Sequence, residues 1–123
     1  LIKETSINSL QMLEVLDRFE FRCALTGSTG FHVDHWFPQK FGGLSNISNC
    51  YPLDATLNLR KNASNPFVFF EREDIRPLFP KEKFDDLVFW LAVNNDMTIE
   101  EFRDYTNKVY ETGDDQWKEL RNK

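Results

Sequence analysis

Pro38 closes the run Phe31-His32-Val33-Asp34-His35-Trp36-Phe37. Proline cannot donate to a strand ladder, so the run is predicted as one short strand that stops there. Five turn-forming residues, Thr26-Gly27-Ser28-Thr29-Gly30, stand before it. Ahead of them Phe21-Arg22-Cys23-Ala24-Leu25 reads as another short strand. The pattern predicts a β-hairpin over 21–37. Gly42-Gly43 and Ser45-Asn46 then mark an irregular loop. Pro52 is expected to open a helix over about 53–62, since proline suits the first helical position.

Both flanks read as helix. In 6–19, Ile7, Leu10, Leu13, Leu16 and Phe19 recur at steps of three and predict one apolar face, with Ser6 as N-cap. After Pro80, Phe84, Leu87, Val88 and Leu91 have helical spacing. Thr98-Ile99-Glu100-Glu101 reads as a capping box, followed by Phe102, Tyr105 and Val109. Gly113 fits a C-cap, leaving Trp117 and Leu120 to a last short helix. Trp36, Trp90 and Trp117 are expected as core anchors.

The expected architecture is a single α+β domain over 1–123, with an N-terminal helix in 1–20, a hairpin-plus-helix core in 21–65 and a helical part in 66–123. At 123 residues, 41% of them hydrophobic and 12 of them Phe, the chain has the material for a core. No apolar run approaches ~18 residues, so no membrane partner is expected. The first residues lack the basic and apolar regions of a secretory leader, which points to the cytoplasm. The Leu1 start suggests a trimmed protein or a fragment. Cys23 and Cys50 form no disulfide framework and are expected as buried free thiols.

The formal net charge of −5 speaks weakly against a nucleic-acid partner. It is unevenly spread. Residues 21–66 carry four basic groups (Arg22, Lys40, Arg60, Lys61) and two acidic ones (Asp34, Asp54), and this is the only net-positive stretch.

That same stretch holds both histidines, His32 and His35, with Asp34 directly before His35. Asn49 follows in the loop region. Asn58 lies one turn after Asp54 and three residues before Lys61 on the expected helix, so 54, 58 and 61 share a face. Carboxylate and amide oxygens are hard donors suited to Mg²⁺ or Mn²⁺. A neutral imidazole beside such an ion can take a proton from water near pH 7. This set suits phosphodiester hydrolysis. Strict strand alternation, however, sends Asp34 and His35 to opposite faces unless the strand ends or distorts there.

Val33-Asp34-His35-Trp36, Pro38, Gly42-Gly43, Asn49, Leu53, Asn58 and Lys61 together resemble an HNH endonuclease, over about residues 21–65. The resemblance implies a ββα-metal fold, in which a hairpin faces a helix across one divalent cation, Mg²⁺ or Mn²⁺. It implies that Asp34 and Asn58 bind the ion and that His35 is the general base. Asn49 would brace the loop and orient His35 through hydrogen bonding. Lys61, Arg60 and Lys40 would touch DNA phosphates. His32 shares a face with Asp34 and is assigned to surface structure or to a contact with substrate or metal ligands. Asp54 is expected either to cap the helix or to add a carboxylate near the metal.

Many HNH proteins carry two C-x-x-C pairs around a structural zinc. Here the corresponding stretches read Cys23-Ala-Leu-Thr26 and Asp54-Ala-Thr-Leu57, so no structural zinc is expected. The Phe-rich flanks then have to support the small motif. The expected function is a metal-dependent DNA endonuclease of restriction, defence, mobile-element or phage type. Strong DNA affinity would need a homodimer or a recognition domain outside this chain. The alternatives are a non-catalytic DNA- or protein-binding module, and a toxin nuclease whose acidic helices bind a partner.

Overall fold

A computed structural model describes residues 9–121, with side-chain surroundings given to residue 113. It is α+β. An N-terminal helix α1 (Ser9–Arg18) leads to strand β1 (Phe31–His35), a long loop and strand β2 (Cys50–Asp54). Helices α2 (Ala55–Lys61), α3 (Pro66–Phe70), α4 (Lys81–Asn94) and α5 (Ile99–Arg121) follow. The two strands form an antiparallel pair in the register His32↔Leu53, Asp34↔Tyr51 and His35↔Cys50. Helix α2 packs against both strands. Among the described residues, no helix is long and apolar enough to cross a membrane.

The hairpin is present with a different first partner. Residues 21–25 are turn rather than strand. Glu20 and Phe21 both take positive φ, 57° each, which breaks the chain direction after α1. The following turn is shaped around Cys23, whose Sγ accepts from the backbone N–H of Leu25 and Thr26, both at 3.4 Å. The strand opposite β1 is 50–54, which puts Pro52 inside β2 and moves the helix start to Ala55. In a two-stranded sheet each strand is an edge, where the missing N–H of proline costs little. Asp54 caps α2, its Oδ1 accepting from Thr56 and Leu57 N–H at 2.9 and 3.0 Å. Of its two expected roles, it performs the cap.

The expected apolar face of the first helix is corrected. Val15 is fully buried and Phe19 nearly so, while Leu10 and Leu13 are exposed. A strict step of three drifts about 60° per step around a 3.6-residue helix, so such residues cannot all share one face. Ser6 and Ile7 lie outside the described residues.

Trp36, directly after His35, is the centre of the core. Its ring lies 5.2 Å from Phe67 edge-on, 5.4 Å from Phe102 and 6.0 Å from Tyr51. Its Nε1 donates to Thr106 of α5 at 3.1 Å, and its carbonyl accepts from the Tyr110 hydroxyl. The end of β1 is thus pinned from the C-terminal helices, which supply the support that so short a hairpin needs. Phe84, Leu87, Val88 and Leu91 are all buried on α4, as their spacing predicts, and Trp90 packs partly buried beside Phe19.

Helix α5 runs through Gly113 without a break to Arg121. Gly113 is therefore not a C-cap, and the stretch around Trp117 and Leu120 continues α5 (their side chains lie outside the described ones). A Cβ at 113 would come within 2.5 Å of the Phe41 ring, so glycine lets the loop after β1 lie close on α5. Gly43 has a similar reason, because a Cβ there would collide with the Phe37 carbonyl. Both cysteines are buried and free. Burial pushes the Cys50 thiol up to about 11, so it stays protonated and unreactive at neutral pH.

The capping box at the start of α5 is formed. Glu101 N–H donates to Thr98 Oγ1 at 3.1 Å, and Thr98 N–H donates to Glu101 Oε1 at 2.9 Å. These bonds hold the Glu101 carboxyl below its ordinary value of 4.5. A depressed folded-state value gives stability that is present above 4.5 and lost as pH falls through the folded value. The melting temperature of Glu101→Ala should therefore lie below that of the parent at pH 7 and converge with it in acid. A gap of the same size at pH 7 and pH 3 would rule this contribution out.

Candidate active site around the β1–β2 hairpin and α2

Strand alternation divides β1 into two chemical faces. His32 and Asp34 lie on one face and His35 on the other. Register places Tyr51 directly across from Asp34, and α2 brings Asn58 and Lys61 to the same side.

On that side two donors converge on one oxygen. Asp34 Oδ2 accepts from the Tyr51 hydroxyl at 2.9 Å and from Lys61 Nζ at 3.0 Å. The Lys61 side chain is 1% exposed and that of Asp34 15%. Lys61 Nζ also donates to the Asn62 carbonyl at 3.4 Å. Tyr51 is fully buried. Burial, then the Asp34 charge, hold its phenol well above the ordinary tyrosine range, so it remains a donor. A step further along the strand, Asn58 Nδ2 sits 3.3 Å from His32 Nδ1.

His35 reaches the loop instead. Its Nε2 lies 2.8 Å from Ser45 Oγ, which also accepts from Gln39 Nε2 at 3.4 Å. Asn49, 3% exposed, ties the loop together. It accepts from Phe37 N–H at 2.7 Å and donates to the carbonyls of Phe37 at 2.9 Å and Leu44 at 2.7 Å. The backbone adds Trp36 N–H to the Asn49 carbonyl at 2.8 Å. Asn49 therefore braces the loop, and the hydrogen bond to the imidazole comes from Ser45.

The three expected phosphate contacts differ in access. Lys61 is buried and paired with Asp34, so reaching a phosphate requires that pair to open. Arg60 is paired with Asp74 at 3.2 Å, with both side chains about half exposed, an arrangement that is weak and easily exchanged. Lys40 is exposed on the loop, its ammonium 5.1 Å from the Phe41 ring centre.

The donor chemistry fits a hard divalent cation. Both contacts of Asp34 use Oδ2, and the contact of Asn58 uses Nδ2. The Oδ1 atoms of the two residues take no part in them. Among the described residues no three His, Cys, Asp or Glu side chains cluster as a metal-ligand group. A carboxylate and an amide on one side are oxygen donors of the kind that Mg²⁺ takes, and Mg²⁺ characteristically binds through one or two carboxylates while keeping waters. Tyr51 and Ser45 were not singled out in the sequence. Tyr51 becomes visible only once β2 and its register are known, and no spacing signal marks Ser45.

No family model, curated protein or solved structure matches the chain.

Proposed function

We propose that the chain is a divalent-metal-dependent DNA endonuclease of HNH type with a ββα-metal core. The observation that carries this reading is that Asp34 and Asn58, two residues of the motif, come to one side of the hairpin and α2. Asp34 and Asn58 are presented on the same side, each with an oxygen outside its hydrogen bonds, and His35 ends the same strand.

Asp34 and Asn58 would hold the ion. When bound, it would offset the charge that develops on the phosphate and on the leaving 3′ oxygen. His35 would take a proton from the attacking water as the water oxygen bonds to phosphorus. The P–O3′ bond breaks, the 3′ oxygen takes a proton from solvent water while His35 later returns its own to solvent, and the products are a 5′-phosphate and a 3′-hydroxyl. Ser45 holds the imidazole on the loop side of β1, so to act as the base His35 has to leave Ser45 and turn past the strand end toward the Asp34–Asn58 side. Arg60 and Lys40 meet neighbouring phosphates, Arg60 by exchanging Asp74 for the backbone. Local positive charge serves here despite a net −5, because only residues 21–66 need to approach the backbone. The chain alone should therefore bind DNA weakly and with marked salt sensitivity, and a homodimer or a separate recognition domain would supply further affinity.

Supercoiled-plasmid nicking tests the proposal. Nicking should appear with Mg²⁺ or Mn²⁺, stop with EDTA, and fall by at least tenfold in Asn58→Ala. Mn²⁺ binding without any nicking would favour a binding module on the same fold. Absence of both would remove the metal reading.

A further inference from the structure

The carboxylate of Asp34 has two chemically equivalent oxygens, yet the fold treats them differently. Oδ2 receives both of its donors, and Oδ1 receives neither. We infer that Tyr51 is the positioning residue that dedicates Oδ2 to the protein and leaves Oδ1 to a divalent cation. The inference rests on the nuclease reading above and adds a residue that the motif does not contain.

Geometry singles out Tyr51 over Lys61. Lys61 ends a flexible four-carbon stem whose ammonium can rotate its three donors. Tyr51 has a rigid ring with two side-chain torsions. It is fully buried, it sits edge-on to Trp36 at 6.0 Å, and its backbone is paired opposite Asp34 itself. Its hydroxyl therefore has one place to be, 2.9 Å from Oδ2. Free rotation about the last Asp34 torsion would exchange the two oxygens. The fixed phenol selects one orientation and removes that freedom before any ligand arrives. Outer hydrogen-bond partners of metal-binding side chains commonly contribute 10–100-fold to metal affinity in this way.

Tyr51→Phe removes a single oxygen atom and keeps the ring. Calorimetric Mn²⁺ titration of the parent, Tyr51→Phe and Ile75→Val separates the outcomes. Ile75 is fully buried but lies outside the hairpin and α2, so it controls for general loosening. Near-UV circular dichroism and melting temperature are recorded for each variant. The parent should bind one ion, Tyr51→Phe should bind it about 10–100-fold more weakly, and Ile75→Val should match the parent. Affinity in Tyr51→Phe within twofold of the parent would overturn the role of Tyr51 and leave the nuclease reading intact. An equal loss in Ile75→Val would also overturn it, because loosening alone would then explain the effect. A parent that binds no Mn²⁺ would overturn both.

Discussion

Replacing His35 with alanine should lower metal-dependent nicking by about 10²–10⁴-fold, the usual contribution of a positioned general base. Mn²⁺ affinity should stay close to that of the parent, because the imidazole lies on the face of β1 opposite Asp34 and hydrogen bonds to Ser45 rather than to either proposed ligand. The fold should also survive. Trp36, not His35, carries the packing at this end of the strand, and it stays pinned by Thr106 and Tyr110. The comparison is made at saturating metal and equal protein, with initial nicking rates as the readout. Equal rates in the parent and His35→Ala would remove His35 as the base. A parallel loss of Mn²⁺ affinity would move it into the metal site instead.

The Asp34–Lys61 pair should show the second large effect, on stability and with a characteristic asymmetry. Lys61 is almost wholly buried, so Asp34→Ala strands an ammonium away from both water and its partner. Removing one member of a buried pair typically costs about 3–5 kcal/mol. Lys61→Met should cost less, because Asp34 is partly exposed and keeps the Tyr51 hydroxyl, and because methionine fills much of the volume left by the lysine stem. The double variant should regain part of the Asp34→Ala loss, since no buried charge is left unpaired. Urea unfolding of the parent, the two single variants and the double variant measures all four corners. Strict additivity would mean that the two side chains do not interact energetically. The same experiment bears on DNA contact. If Lys61 reaches a phosphate only after leaving Asp34, Lys61→Met should change the salt dependence of DNA binding little, whereas Arg60→Ala should reduce its slope by about one.

Some of this architecture is plain in the sequence. The α4 positions at helical spacing are the buried ones, and the Thr98–Glu101 box is formed as its residues predict. Capping boxes and amphipathic faces are local, their spacing being set by the helix itself. The two thiols are buried and free, as their small number and separate positions suggest. Asp34, Asn58 and Lys61 come to one side of the hairpin and α2, while His35 and Asn49 turn to the loop.

The departures at 21–25, Pro52 and Gly113 are non-local. Residues 21–25 have the composition of a strand, but their backbone turns at Glu20 and Phe21, and residues 50–54 take the place beside β1. Pro52 has the local preference of a helix start and is held in a strand by its cross-strand partner, Val33. Gly113 resembles a helix end, yet the helix continues because the glycine makes room for Phe41, distant in sequence. Tertiary packing outweighs propensity at such positions, since the preference of a residue other than proline is worth about 1 kcal/mol or less, and an edge strand tolerates proline.

By itself the sequence determined which side chains are available for chemistry, that they occupy the one net-positive stretch, and that helices flank it. Only the tertiary structure decided their partners. It paired Asp34 with Tyr51 and Lys61, turned His35 toward Ser45, and gave Asn49 to the loop backbone. The physical reason is that a hydrogen bond across a sheet depends on register. Shifting the strands by a single residue would send every side chain of β1 to the other face while leaving the sequence of the motif unchanged.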